Sequence, residues 1–99
     1  MSTSLIPLSR LHKSQHAIVK KIDESLLPHN VELTKGELER RILEIGIIEG
    51  IELKILHFGL INQDPIAIQL VHSGLTVAIR RNEAEIILVE QITGTNHAR

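Results

Sequence analysis

The sequence predicts a mainly β fold with short helices: a small, partly closed barrel of about five strands, one capping helix after the first strand and a one-turn helix before the last. Three observations carry this expectation. The apolar residues are nearly all Ile, Leu and Val, and β-branched side chains fit the pleated surface of a strand. Between Arg40 and Leu56 the stretch RRILEIGIIEGIELKIL changes from helical spacing to alternation, across a link with a glycine at each end. The other apolar runs are short and separated by Gly, Pro and Asn.

In chain order, residues 1–6 read as loose, and Pro7 to Lys13 as a short turn or helix leading in. Gln15 to Ile22 is the first strand, with Ala17 and Val19 on one face. Asp23 to Lys35 is polar and contains Pro28 and Asn30, so it is a long loop or an irregular hairpin. Thr34 and Glu37 have capping-box spacing, in which the Thr34 hydroxyl accepts from the Glu37 amide and the Glu37 carboxylate from the Thr34 amide. The helix that follows carries Leu38, Ile42 and Ile45 as one apolar stripe, with Glu39, Arg40, Arg41 and Glu44 largely on its other sides. Gly46 sits where a left-handed residue would end the helix, and Glu49-Gly50 suits the centre of a type II turn.

The second strand runs from Ile51 to Phe58, with Ile51, Leu53 and Ile55 inward. Its alternation fails at Ile55-Leu56, which predicts a bulge or a two-sided position. His57 to Asp64 reads as a loop, and Pro65 opens a strand with Ile66, Ile68 and Leu70 on one face. His72-Ser73-Gly74 is a tight connection to a strand with Leu75, Val77 and Ile79 inward. Asn82 to Glu85 suits one helical turn, and Ile87 to Ile92 supplies the last strand. The expected organisation is a lead-in over 1–14, one domain over 15–92 and a frayed tail over 93–99.

Composition excludes several functions. A formal net charge of −1 provides no field to gather phosphates or an anionic membrane. There is no cysteine, hence no disulfide, thiolate metal site or cysteine nucleophile. No run approaches the roughly 20 apolar residues that span a bilayer, and the start lacks the pattern of a secretory signal. A soluble cytoplasmic protein is expected. Phe58 is the single aromatic residue, so neither a polyproline groove nor a base-stacking surface can be built. No phosphate-binding glycine loop and no paired acid and base is present, so no enzymatic activity is expected.

Three blocks, in order, resemble the FeoA family of bacterial ferrous iron uptake. They are RILEIGIIEG (Arg41 to Gly50), GLINQDPIAI (Gly59 to Ile68) and LTVAIRRNEAEIILVE (Leu75 to Glu90). Glu49 stands where the family often has proline, and Asp23 to Lys35 is longer than expected. The resemblance implies an SH3-like barrel and a cytoplasmic accessory role in ferrous iron transport and iron homeostasis. That role implies protein–protein contact with the cytoplasmic side of the FeoB-type membrane GTPase permease. A related domain ends iron-dependent repressors of the diphtheria toxin repressor type; 99 residues are too few for their other regions, so that reading is set aside.

The partner-binding candidates are Leu56, Phe58, Leu60 and Ile61, which exceed the inward positions available, together with Arg80 and Arg81. Phe58 has an alternative place, folded back over the barrel mouth. Thr34, Glu37, Gly46 and Gly50 are structural motif residues. No nucleic acid, membrane insertion, small-molecule substrate or cofactor is expected. The alternative function is a transition-metal-binding regulator or chaperone of ferrous iron. Of the six histidines, His12 and His16 have i, i+4 spacing, which converges only in a helix; His16 is read in a strand, and no metal ligand is assigned.

Overall fold

The computed structural model describes residues 4–27 and 36–92. Six antiparallel strands form one sheet: β1 (Ile6–Pro7), β2 (His16–Ile22), β3 (Glu52–Ile61), β4 (Asp64–Leu70), β5 (Leu75–Ile79) and β6 (Ile87–Ile92). Their order across the sheet is β1-β6-β2-β3-β4-β5. Helix α1 (Glu37–Ile45) lies between β2 and β3, and the one-turn α2 (Arg81–Glu85) precedes β6. β1 and β5 are the two edges and do not pair with each other. α2 packs against the 3-10 turn Leu8–Arg10, β4 and β6 across the gap between them.

The predicted order of elements holds, with one strand more than expected. β1 pairs Ile6 with Val89, and the turn after it buries Leu8 and Leu11 in the core. Two residues are too short for any periodicity, so this strand carries no sequence signal. Leu38 and Ile42 of α1 are buried, and Ile45 packs partly against the core. Ala17, Val19, Leu53, Ile55, Ile66, Ile68, Leu70, Ile79, Ile87 and Val89 are the inward positions of the strands. On β5, an edge strand among the described residues, the expected inward row opens towards its start, where Leu75 is 53% exposed.

Thr34 lies outside the described residues, and Gly36, at φ 84°, is the residue before the first helical turn. The cap comes from far along the chain. The Glu24 carboxylate accepts from the amides of Gly36 (2.6 Å) and Leu38 (3.1 Å), while the Glu39 carboxylate accepts from the Glu24 amide at 3.0 Å. Two acidic side chains thus serve the positive end of the helix and the 3-10 turn Glu24–Leu26 reciprocally. Glu37 is the first helical residue and takes no part in this exchange.

The end of α1 is as expected. Gly46 is left-handed at φ 108°; its amide donates to Leu43 and the Ile47 amide donates to Ile42. This is the Schellman arrangement, with Ile42 and Ile47 both buried beside it. Gly50, at φ 92°, sits third in the turn closed by the Ile51 amide on the Ile48 carbonyl, a type II turn. The Gly50 amide donates to the Val19 carbonyl at 2.7 Å, and the Val19 amide to Ile51 at 2.9 Å. The link is therefore stitched to β2, and β2 opens a bulge between Val19 and Lys21 at the same place.

Candidate interaction surface

β3 begins with inward Leu53 and Ile55, and its register against β4 slips between Ile55 and His57. This is the predicted bulge. An extra residue reverses which side chains face inward. After it, His57 is exposed and Phe58 packs partly against the core, while Leu56 is half-buried. A second irregularity between Phe58 and Ile61 lets the strand run past the end of the core. Leu60 and Ile61 are then exposed by 102% and 76%. Exposed apolar side chains at a loop tip gain nothing for the fold, since no area leaves the water.

The expected loop from His57 to Asp64 is instead a hairpin. Ile61 pairs with Asp64, and Asn62 and Gln63 form the two-residue turn at φ 54° and 58°. Two consecutive left-handed residues define a type I′ turn, which usually takes glycine second. The sequence offers glutamine there, so the hairpin signal is absent locally. The missing stabilisation comes from α2. The Arg81 amide donates to Asp64 Oδ1 at 2.9 Å, and Arg81 Nη1 donates to Gln63 Oε1 at 3.3 Å.

Gly59 is required by close approach. A methyl group there would collide with the Asp64 carbonyl and lie 2.8 Å from Pro65 N. The backbone of β3 thus lies close against the Asp64-Pro65 peptide.

Among the partner-binding candidates, Leu60, Ile61 and Arg81 meet at this end of the molecule. Arg81 is the brace of the turn and its guanidinium is only partly free. Arg80 is exposed, and its backbone amide donates to Glu83 Oε1 at 2.8 Å. Phe58 packs partly against the core, and Leu56 is half-buried.

Glu83 carries weight that sequence reading did not assign to it. It is 1% exposed; Oε1 caps α2, and Oε2 faces Arg41 Nη2 at 3.2 Å in an ion pair without hydrogen-bond alignment. Ser9 adds a hydroxyl donor to Glu85 Oε2 at 2.9 Å. Arg41 thereby ties α1 to α2, and Arg81 ties α2 to the hairpin. The signal was the spacing of Glu83 three residues after Arg80, half of a capping box whose first position cannot accept.

His16 starts β2, so its spacing from His12 does not bring the two rings together as a helix would. His16 Nδ1 instead meets Glu52 Oε2 at 2.9 Å. Among the described residues no group of three His, Asp or Glu side chains could hold a metal ion; His29 and His97 lie outside them. No helix among the described residues is long and apolar enough to cross a membrane.

The sequence model of the FeoA domain matches residues 6–91. The fold is similar to the solution structure of an FeoA-like protein from Clostridium acetobutylicum, at 28% identity and a TM-score of 0.70, covering 94% of this chain and 92% of that one. It is similar to FeoA from Chlorobium tepidum, at 29% identity and a TM-score of 0.68, over 90% of this chain and 72% of the other. The zinc complex of Stenotrophomonas maltophilia FeoA, described as a prokaryotic SH3 domain protein, matches in fold at 23% identity and a TM-score of 0.63, over 84% and 87% of the two chains. No curated protein matches this chain in sequence.

Proposed function

This chain belongs to the FeoA family, and from that premise we propose that it serves ferrous iron uptake in the cytoplasm by contact with the cytoplasmic side of an FeoB-type permease. The observation that carries the contact reading is the braced hairpin tip. Leu60 and Ile61 stand in water on a turn that α2 holds in place. A small domain gains binding area from such a rigid apolar projection without first ordering it. Arg80 beside it supplies a charge for register.

The test is binding of the full chain to the permease's cytoplasmic domain, with and without ferrous iron. Replacing Leu60 and Ile61 by Ser should weaken binding by roughly 1–3 kcal/mol while leaving the melting midpoint unchanged. Normal binding by that variant would end the hairpin reading. Phe58→Ala separates the alternatives for Phe58, since it packs on the core: a lowered midpoint with intact binding by the folded fraction makes it purely structural. Purified protein given GTP should release phosphate at the buffer rate.

The rival reading, metal delivery or sensing, draws on the zinc-bound relative. His16 and Glu52 provide two donors on one surface, short of a closed tetrahedral site. Anaerobic titration with ferrous iron should accordingly find no stoichiometric site tighter than about micromolar. A submicromolar site lost on changing two histidines would favour the rival.

A further inference from the structure

The two edges of the sheet are finished differently. β1 is two residues long and carries Pro7, so it offers little backbone to an incoming chain. β5 presents five residues, LTVAI, with no charge, no proline and an unbroken register against β4 from Ile66–Ile79 to Leu70–Leu75. Natural edges of this length usually carry a lysine, a proline or a bulge that blocks further pairing. β5 has none of the three.

Its core-facing row is also incomplete. Ile79 is buried, Val77 is partly buried against the core, and Leu75 is 53% exposed. The strand then runs into Arg80, whose side chain is exposed and has no ion-pair partner among the described residues. Arg41, by contrast, faces Glu83, and Arg81 is engaged at the hairpin turn.

We propose that the edge of β5, unpaired among the described residues, receives an extended segment of a partner protein as a further strand, with apolar side chains over Leu75 and Val77 and a carboxylate opposite Arg80. Such strand addition takes its affinity from main-chain hydrogen bonds and its selectivity from alternate side chains. A second copy of this chain fits less well. Two β5 strands paired antiparallel about Val77 would set each Arg80 opposite the other copy's His72-Ser73-Gly74 turn, which holds no carboxylate. The occupant is therefore a different, acidic segment. This inference does not rest on the hairpin tip being the permease contact.

The experiment uses the full chain and a short capped peptide of alternating valine and threonine with a glutamate at each end, followed by backbone amide NMR shifts. The largest shifts should fall on Leu75 to Arg80. A peptide with lysines in place of the glutamates should bind roughly fivefold more weakly at low salt, the size of an exposed ion pair. Arg80→Gln should abolish that discrimination and Arg80→Glu should reverse it; both keep the backbone amide that Glu83 holds. The Leu60→Ser, Ile61→Ser variant should bind the peptide as the parent does, so a failed permease contact and a failed edge remain distinguishable. Absence of shifts on β5, shifts centred on the hairpin, discrimination unmoved by Arg80→Glu, or self-association through β5 would each overturn the proposal.

Discussion

Two turns of this molecule do similar work by opposite means. The link from α1 to β3 reverses the chain through Gly46 and Gly50, both left-handed, and each conformation is encoded where it occurs. The β3–β4 hairpin turns through Asn62 and Gln63, also left-handed, yet neither is glycine. Its conformation is held from outside, by Arg81 on Asp64 and Gln63. The link draws its flanking apolar residues inward, burying Ile42 and Ile47, whereas the hairpin carries Leu60 and Ile61 into solvent. A turn coded by glycine needs no side-chain brace, and here backbone hydrogen bonds with Val19 hold it against β2. A turn of ordinary residues needs a tertiary brace, and that brace leaves its tip free to be a surface.

The largest expected effect breaks the hairpin side. Gly59→Ala places a methyl group into the Asp64-Pro65 backbone, which cannot move aside as a flexible side chain would. It should cost about 3 kcal/mol, the upper range for overpacking, read as a lower denaturation midpoint. Wild-type stability for this variant would mean that the hairpin does not press on β3.

Gly46→Val comes next, at about 2 kcal/mol, because a β-branched residue is strained at positive φ. Space is not the issue: a Cβ there would only touch Leu70 at 3.5 Å. If the link were not locally coded, the valine variant would melt with the parent.

Asp64→Ala should cost about 1 kcal/mol by removing the acceptor of the Arg81 amide. Its more telling readout is hydrogen exchange, which should rise at the Arg81 amide and at the Ile61–Asp64 pair that closes the turn while the link stays protected. Equal protection in both turns would show that the hairpin needs no brace.

The smallest effect is a gain. Glu49 occupies the first central position of the type II turn, where proline is favourable, and Glu49→Pro should stabilise by up to about 1 kcal/mol. A clear loss would place the turn's strain somewhere other than Gly50.

By itself the sequence determined the order of the main elements, the apolar stripe of α1, both glycine-coded reversals, the bulge at Leu56 and the one-turn helix before the last strand. Each rests on residues within a few positions of one another: a period of apolar side chains, a residue that tolerates positive φ, or a break in alternation. Tertiary structure decided the rest. β1 is a strand only because β6 pairs with it, and the turn after it, which buries Leu8 and Leu11, packs against α2 and β6. The start of α1 is capped by Glu24, from before the helix, a contact that no local spacing announces. Of the surface candidates, the apolar excess after Leu56 was legible, but its division into a core-packed Phe58 and an exposed Leu60 and Ile61 was not. That division depends on where the chain leaves the core, which α2 fixes through Arg81. A carboxylate that caps a distant amide, or an arginine that braces a distant turn, leaves no period in the sequence, because its partner is near in space and far along the chain.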